Sequence, residues 1–157
     1  MRFKTRSAAS LIVGLLSSVG LSASEKIGDH FWPTPNNAFV EGRTLEHFVQ
    51  PTESGKLISA LWGCVRNNGT RFHEGIDLKA TQKDRHGEPT DSVFAFDKGI
   101  VRYVNLESRL SSYGRYIVIE HPHWSPGMVT LYAHLRAVPN AIRSGVEVTG
   151  GQPIATM

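Results

Sequence analysis

Between Leu57 and Met157 no stretch carries the apolar period of an amphipathic helix over an ordinary helix length. Short apolar segments alternate with turn chemistry instead. That pattern confines the chain to an all-β domain of antiparallel strands, and it predicts strands at 57–62, 71–78, 92–95, 99–106, 115–120, 129–135 and 152–156. The turn Asp97-Lys98-Gly99 is predicted to join 93–96 to 100–104 as a tight hairpin. The proline-rich run from His121 to Gly127 makes a wide hairpin of the segments on either side. Residues 79–91, polar and broken by Gly87 and Pro89, form a solvent-facing loop that carries His86.

Ahead of this region lie two pieces of different character. Residues 1–23 read as a secretory signal peptide: Arg2, Lys4 and Arg6 form a basic start, an apolar run follows, and Ser22-Ala23-Ser24 offers small residues for cleavage. The run is short for a membrane span, although an uncleaved anchor is the alternative. No cysteine follows it, which argues against a lipid-modified anchor. Residues 24–50, punctuated by Pro33, Pro35, Asn36, Asn37 and Gly42, read as an ordered N-terminal arm with a short helix near 43–49, and residues 51–157 as the domain proper. His30 and His47 have no partner at a ligand-like spacing.

Charge and cysteine content narrow the function. Of the 17 Lys and Arg, three lie in the leader, so the remainder carries 14 basic groups against 14 acidic ones. A near-neutral chain gives no case for nucleic-acid binding, and none for lasting membrane insertion once the leader is cleaved. Cys64 is the only cysteine, so no intrachain disulfide can staple the fold. Within Leu61-Trp62-Gly63-Cys64-Val65 it is expected to be a buried, unreactive thiol.

The chemistry concentrates in Arg71-Phe72-His73-Glu74-Gly75-Ile76-Asp77-Leu78. On an extended strand His73, Gly75 and Asp77 share one face, while Phe72, Glu74, Ile76 and Leu78 share the other. One imidazole nitrogen and one carboxylate oxygen are half of a zinc site. Residues four apart lie roughly 13 Å from each other on a flat strand, so a bend is needed, and Gly75 is placed to supply it through a bulge or a positive φ. The same pair could equally make a surface hydrogen bond.

The order of segments resembles the lysostaphin/LytM-type zinc metallopeptidases, which cut peptide bonds in bacterial peptidoglycan. The resemblance is carried by Arg71 to Leu78, by Val93-Phe94-Ala95 with Gly99-Ile100-Val101, by Tyr113-Gly114 with Ile117-Val118-Ile119, by Thr130-Leu131-Tyr132-Ala133-His134-Leu135, and by Gly145 with Gly151-Gln152-Pro153-Ile154. It covers about 51–157. It implies an antiparallel β-sheet or sandwich of the LytM (duplicated hybrid motif) type. His73 and Asp77 would be ligands of Zn2+, and His134 a catalytic histidine beside the metal. Tyr132, on the same face as His134 by strand alternation, would contact substrate or else pack.

The implied substrate is the peptide of peptidoglycan, and the implied location is secreted or periplasmic, at the cell envelope; the oligomeric state is not addressed. The family's downstream H-x-H, which holds the third ligand, is absent. His121-Pro122-His123 precedes the His134 segment instead of following it, so the expectation is of a chain truncated at its C-terminus. The alternative is a non-catalytic LytM-like module that binds cell wall or regulates another wall hydrolase.

Overall fold

A computed structural model describes residues 23–157; the expected signal peptide lies outside them but for Ala23. The described residues form ten short strands and four 3₁₀ turns, and every strand pairing is antiparallel. The strands are β1 (Lys26–Ile27), β2 (His30–Phe31), β3 (Gly63–Arg66), β4 (Arg71–His73), β5 (Ser92–Phe94), β6 (Gly99–Asn105), β7 (Tyr116–Glu120), β8 (Val129–Tyr132), β9 (Glu147–Val148) and β10 (Pro153–Thr156). The largest sheet runs β8-β7-β6-β9, and three further sheets are two-stranded: β1-β2, β3-β4 and β10-β5. The all-β architecture is thus the one the sequence pattern requires. No helix among the described residues is long and apolar enough to cross a membrane.

Strand β7 shows why the large sheet forms. Its β-branched residues alternate, so Ile117 and Ile119 are fully buried while Tyr116, Val118 and Glu120 stay partly exposed. Val93, Ala95, Val101, Tyr132, Leu135, Ile142, Val148, Ile154 and Ala155 complete that core. The β6–β7 contact leaves no room at Gly99, where a Cβ would lie 2.4 Å from Glu120 O, 2.6 Å from Ile119 Cγ2 and 2.9 Å from His121 Nδ1. Gly99→Ala is therefore expected to cost about 1–3 kcal/mol, read as a lower urea midpoint at unchanged m-value.

Several local expectations change. The predicted 93–104 hairpin does not form, because β5 pairs with β10 and β6 with β7 and β9. The reason lies in the backbone groups of 95–96. Ala95 N–H donates to Gln152 O (2.9 Å), Gly151 N–H to Ala95 O (2.8 Å), Phe96 N–H to the Tyr132 hydroxyl (2.8 Å), and Phe31 N–H to Phe96 O (2.8 Å). Nothing is left for pairing with β6, so the chain changes sheets at Asp97. The hairpin of β7 and β8 forms as expected.

Residues Leu57–Ala60 are a 3₁₀ turn rather than a strand, held by Ser59 Oγ donating to Lys56 O (2.7 Å). Cys64 is exposed, not buried: the apolar letters around it include Trp62, 65% exposed, whose ring meets the half-exposed Phe72 edge-on. The loop 79–91 is largely exposed but pinned, because the buried Asp91 carboxylate accepts Thr81 N–H (2.7 Å), Thr81 Oγ1–H (3.0 Å) and Gln82 N–H (2.6 Å).

The arm is built into the fold. Trp32, Phe48 and Val49 bury themselves with Ala60, and Leu61 and Leu78 pack against them. Buried Asn36 donates to His47 O (3.0 Å) and Lys79 O (2.9 Å), which ties the arm to the segment after Asp77.

Candidate active site

His73 and Asp77 meet because the 71–78 segment changes partners at Gly75. Before the bend, β4 pairs with β3 and places His73 opposite Gly63. After it, the chain pairs with the arm: Gln50 N–H donates to Asp77 O (2.8 Å), Leu78 bridges Val49, and Lys79 N–H donates to Phe48 O (2.7 Å). Asp77 N–H is also held, by Ala60 O at 2.9 Å. The expected bend is present, but Gly75 does not use a positive φ. Switching partners, rather than glycine's special freedom, turns the two side chains toward each other.

Their polar atoms are oriented one by one. His73 Nδ1 lies 2.9 Å from Leu61 O, and a carbonyl can only accept, so Nδ1 carries the proton. A neutral His73 then points its Nε2 lone pair at Asp77 Oδ1, 3.3 Å away. With the imidazole unprotonated, two acceptors would face each other, an arrangement that a shared cation or proton relieves. Arg66 Nη2 holds the other carboxylate oxygen, Oδ2, at 2.5 Å, and Arg66 Nε is anchored on Ser59 O at 3.1 Å.

The donor set fits one side of a zinc site. Bonds of about 2.0–2.1 Å at tetrahedral angles separate two ligand atoms by roughly 3.3 Å, the spacing seen between Nε2 and Oδ1. The Leu61 carbonyl on Nδ1 is the usual outer partner of a ligating histidine. Among the described residues, however, no group of three or more His, Cys, Asp or Glu is arranged to hold a metal.

His134 stands in another setting. Strand β8 stops at Tyr132, and His134 is exposed in the left-handed region at φ +57°, so the alternation that would put both on one face is broken. Its N–H donates to Tyr113 O at 2.8 Å. Tyr132 turns inward and packs in the core. It is 8% exposed, and its hydroxyl accepts Phe96 N–H and lies 3.1 Å from Thr130 Oγ1. Burial pushes that phenol's pKa up.

The His121-Pro122-His123 pair lies apart, around Asp97. His121 is fully buried between Lys98 O and Thr130 Oγ1, both at 2.8 Å, and stacks on Trp124. Asp97 Oδ2 takes His30 Nδ1 (3.1 Å), His123 Nε2 (3.1 Å) and Trp124 Nε1 (2.8 Å), so the arm's His30 is docked here. Burial alone would raise the Asp97 carboxyl, but the bonds from His123, Lys98 N–H, Trp124 and His30 outweigh it and hold it well below the usual carboxylate range.

A carboxyl lowered by folding adds stability above its unfolded value of 3.8, and that stability fades as the pH falls through the folded value. Asp97→Asn should therefore lower the urea midpoint at pH 7, and the gap from the parent should narrow below about pH 4.

Sequence reasoning missed Arg66, the Leu61 carbonyl and the Asp97 cluster. Arg66 precedes Asp77 by eleven residues and has no periodic relation to it; the β3–β4 hairpin, together with the bonds that hold Asp77 to Ala60 and Gln50, makes them neighbours. Two hollows, of about 350 Å3 beside Tyr103 and Ile142 and about 510 Å3 beside Phe39 and Phe48, are lined by none of His73, Asp77 or His134. The His73–Asp77 pair thus belongs to neither, and both of its side chains keep some exposure, 12% and 30%.

A family model described as Peptidase family M23 matches residues 71–157, more than half of the chain. The chain belongs to that family. Family M23 is the lysostaphin/LytM-type peptidase family, so the resemblance read from the segment order holds, and its members are generally zinc-dependent. The match begins at Arg71, the first residue of β4, and takes in His73, Asp77 and His134. No curated protein and no solved structure matches the chain.

Proposed function

We propose that this M23-family chain is a zinc-dependent metalloendopeptidase that hydrolyses peptide cross-links of bacterial peptidoglycan after export to the cell envelope. The observation that carries the reading is the 3.3 Å contact between His73 Nε2 and Asp77 Oδ1, a spacing that two zinc ligands also take. His73 and Asp77 would hold the ion. Zinc, when bound, lowers the pKa of a bound water and polarises a peptide carbonyl.

The chain's own residues supply the rest. Leu61 O fixes the His73 tautomer and Arg66 turns Oδ1 toward the histidine. His134, exposed and held by its backbone, would accept the proton of the attacking water and return it to the leaving amine.

Zinc titration monitored with a chromophoric chelator tests the metal, and release of amino groups from purified peptidoglycan tests the reaction. One zinc per chain and chelator-sensitive release support the proposal; a parent chain that takes up no zinc overturns it. The second reading, a non-catalytic wall-binding or regulatory module, is favoured by the lack of a three-group cluster among the described residues. Retention on peptidoglycan without release of amino groups would support that reading.

A further inference from the structure

We propose that Glu74 and Tyr113 are positioning residues: their side-chain hydrogen bond ties the segment carrying His134 to the turn carrying His73 and Asp77. The inference rests on the reading that His134 serves that site. The Tyr113 hydroxyl donates to the Glu74 carboxylate across thirty-nine residues of sequence. Glu74 directly follows His73. On the other side, Tyr113 O accepts the His134 N–H at 2.8 Å, and Leu135 N–H donates to Arg115 O at 3.0 Å. Gly114, at φ +63°, runs beneath the His134 ring, where an added Cβ would lie 3.6 Å from Nδ1.

The tie matters because, among the described strands, no pairing does its work. β4 pairs with β3, and the β3–β4 hairpin is not hydrogen-bonded as a strand to the four-stranded sheet that leads into Tyr113 and His134. His73 and His134 therefore ride on separately built units. A side-chain bond from the residue after His73 to the residue whose carbonyl holds His134 is a direct link between them. Tyr113 is braced for this role by Tyr116, whose ring meets it edge-on at 5.8 Å and itself stacks on Tyr103. The phenol also records the contact: the Glu74 hydrogen bond raises the Tyr113 pKa, with slight burial adding to it.

Three measurements on the full chain test the tie with Tyr113→Phe and Glu74→Ala. In an NMR titration of labelled tyrosines, Glu74→Ala should lower the Tyr113 midpoint and leave Tyr103 unmoved. In hydrogen exchange, the His134 amide should exchange about fivefold faster in each variant, with the Ile117 and Ile119 amides unchanged. On peptidoglycan, kcat should fall about tenfold with KM and zinc affinity within about twofold, the double variant should be no worse than either single one, and Glu74→Gln should recover part of the loss, since its amide oxygen can still accept.

An unmoved Tyr113 midpoint together with unchanged His134 exchange overturns the tie, whatever the enzymology. A parent chain that binds no zinc and releases no peptide overturns the proposed function instead, and the first two measurements then still decide the tie.

Discussion

His73→Ala is expected to weaken zinc binding by about a hundredfold or more and to abolish peptide release from peptidoglycan, with Asp77→Ala doing the same. The size of the effect follows from the ligand role proposed for each. If both side chains hold the ion, losing either removes a ligand, and the remaining imidazole or carboxylate, in contact with solvent, competes less well with water. The variants should stay folded. His73 gives up one bond to Leu61 O, while the backbone of Asp77 remains fastened to Ala60 and Gln50. Circular dichroism with retained β signal, beside a zinc titration that no longer saturates, is the expected pair of results. An alanine variant that binds zinc as the parent does would remove His73 from the site.

Ile117→Ala carries the largest expected loss of stability, about 2–5 kcal/mol. Ile117 is fully buried in the centre of the four-stranded sheet, flanked by β6 and β8 through Val104 and Tyr132. Truncation there removes apolar area and leaves a void that close-packed neighbours cannot all close. A fall in Tm on the order of 10 °C is expected for a chain of this size. The neighbouring Val118→Ala, on the half-exposed face, should cost much less. Equal losses at 117 and 118 would show that the buried face of β7 is not where the structure places it.

Much of the fold was legible because strands with one buried face announce themselves. β6, β7, β8 and β10 fall inside their predicted ranges, and the hairpin between β7 and β8 was readable from the proline-rich loop. The predictions that failed share a cause. The 57–62 strand, the 93–104 hairpin and the buried Cys64 all assumed that apolar neighbours in sequence pair or bury together. In the molecule, Ser59 closes a 3₁₀ turn, residues 95–96 spend their hydrogen bonds on distant partners, and the Trp62–Phe72 hairpin faces outward. Nothing local records those choices.

The candidate site divides in the same way. That a histidine and an aspartate four apart around a bend could share an ion is a property of chain geometry, and the letters from Arg71 to Leu78 were enough to see it. Which atoms face each other was settled elsewhere: by Leu61 O on one imidazole nitrogen, by Arg66 on one carboxylate oxygen, and by the arm's 48–50 segment pairing with 77–79. Tyr132 was sent inward by a backbone N–H 36 residues away. Side-chain type and short-range spacing are fixed by covalent order, so the sequence alone could name the candidate groups; the direction of a lone pair depends on hydrogen-bond partners recruited from distant segments, and only the packed chain could choose them.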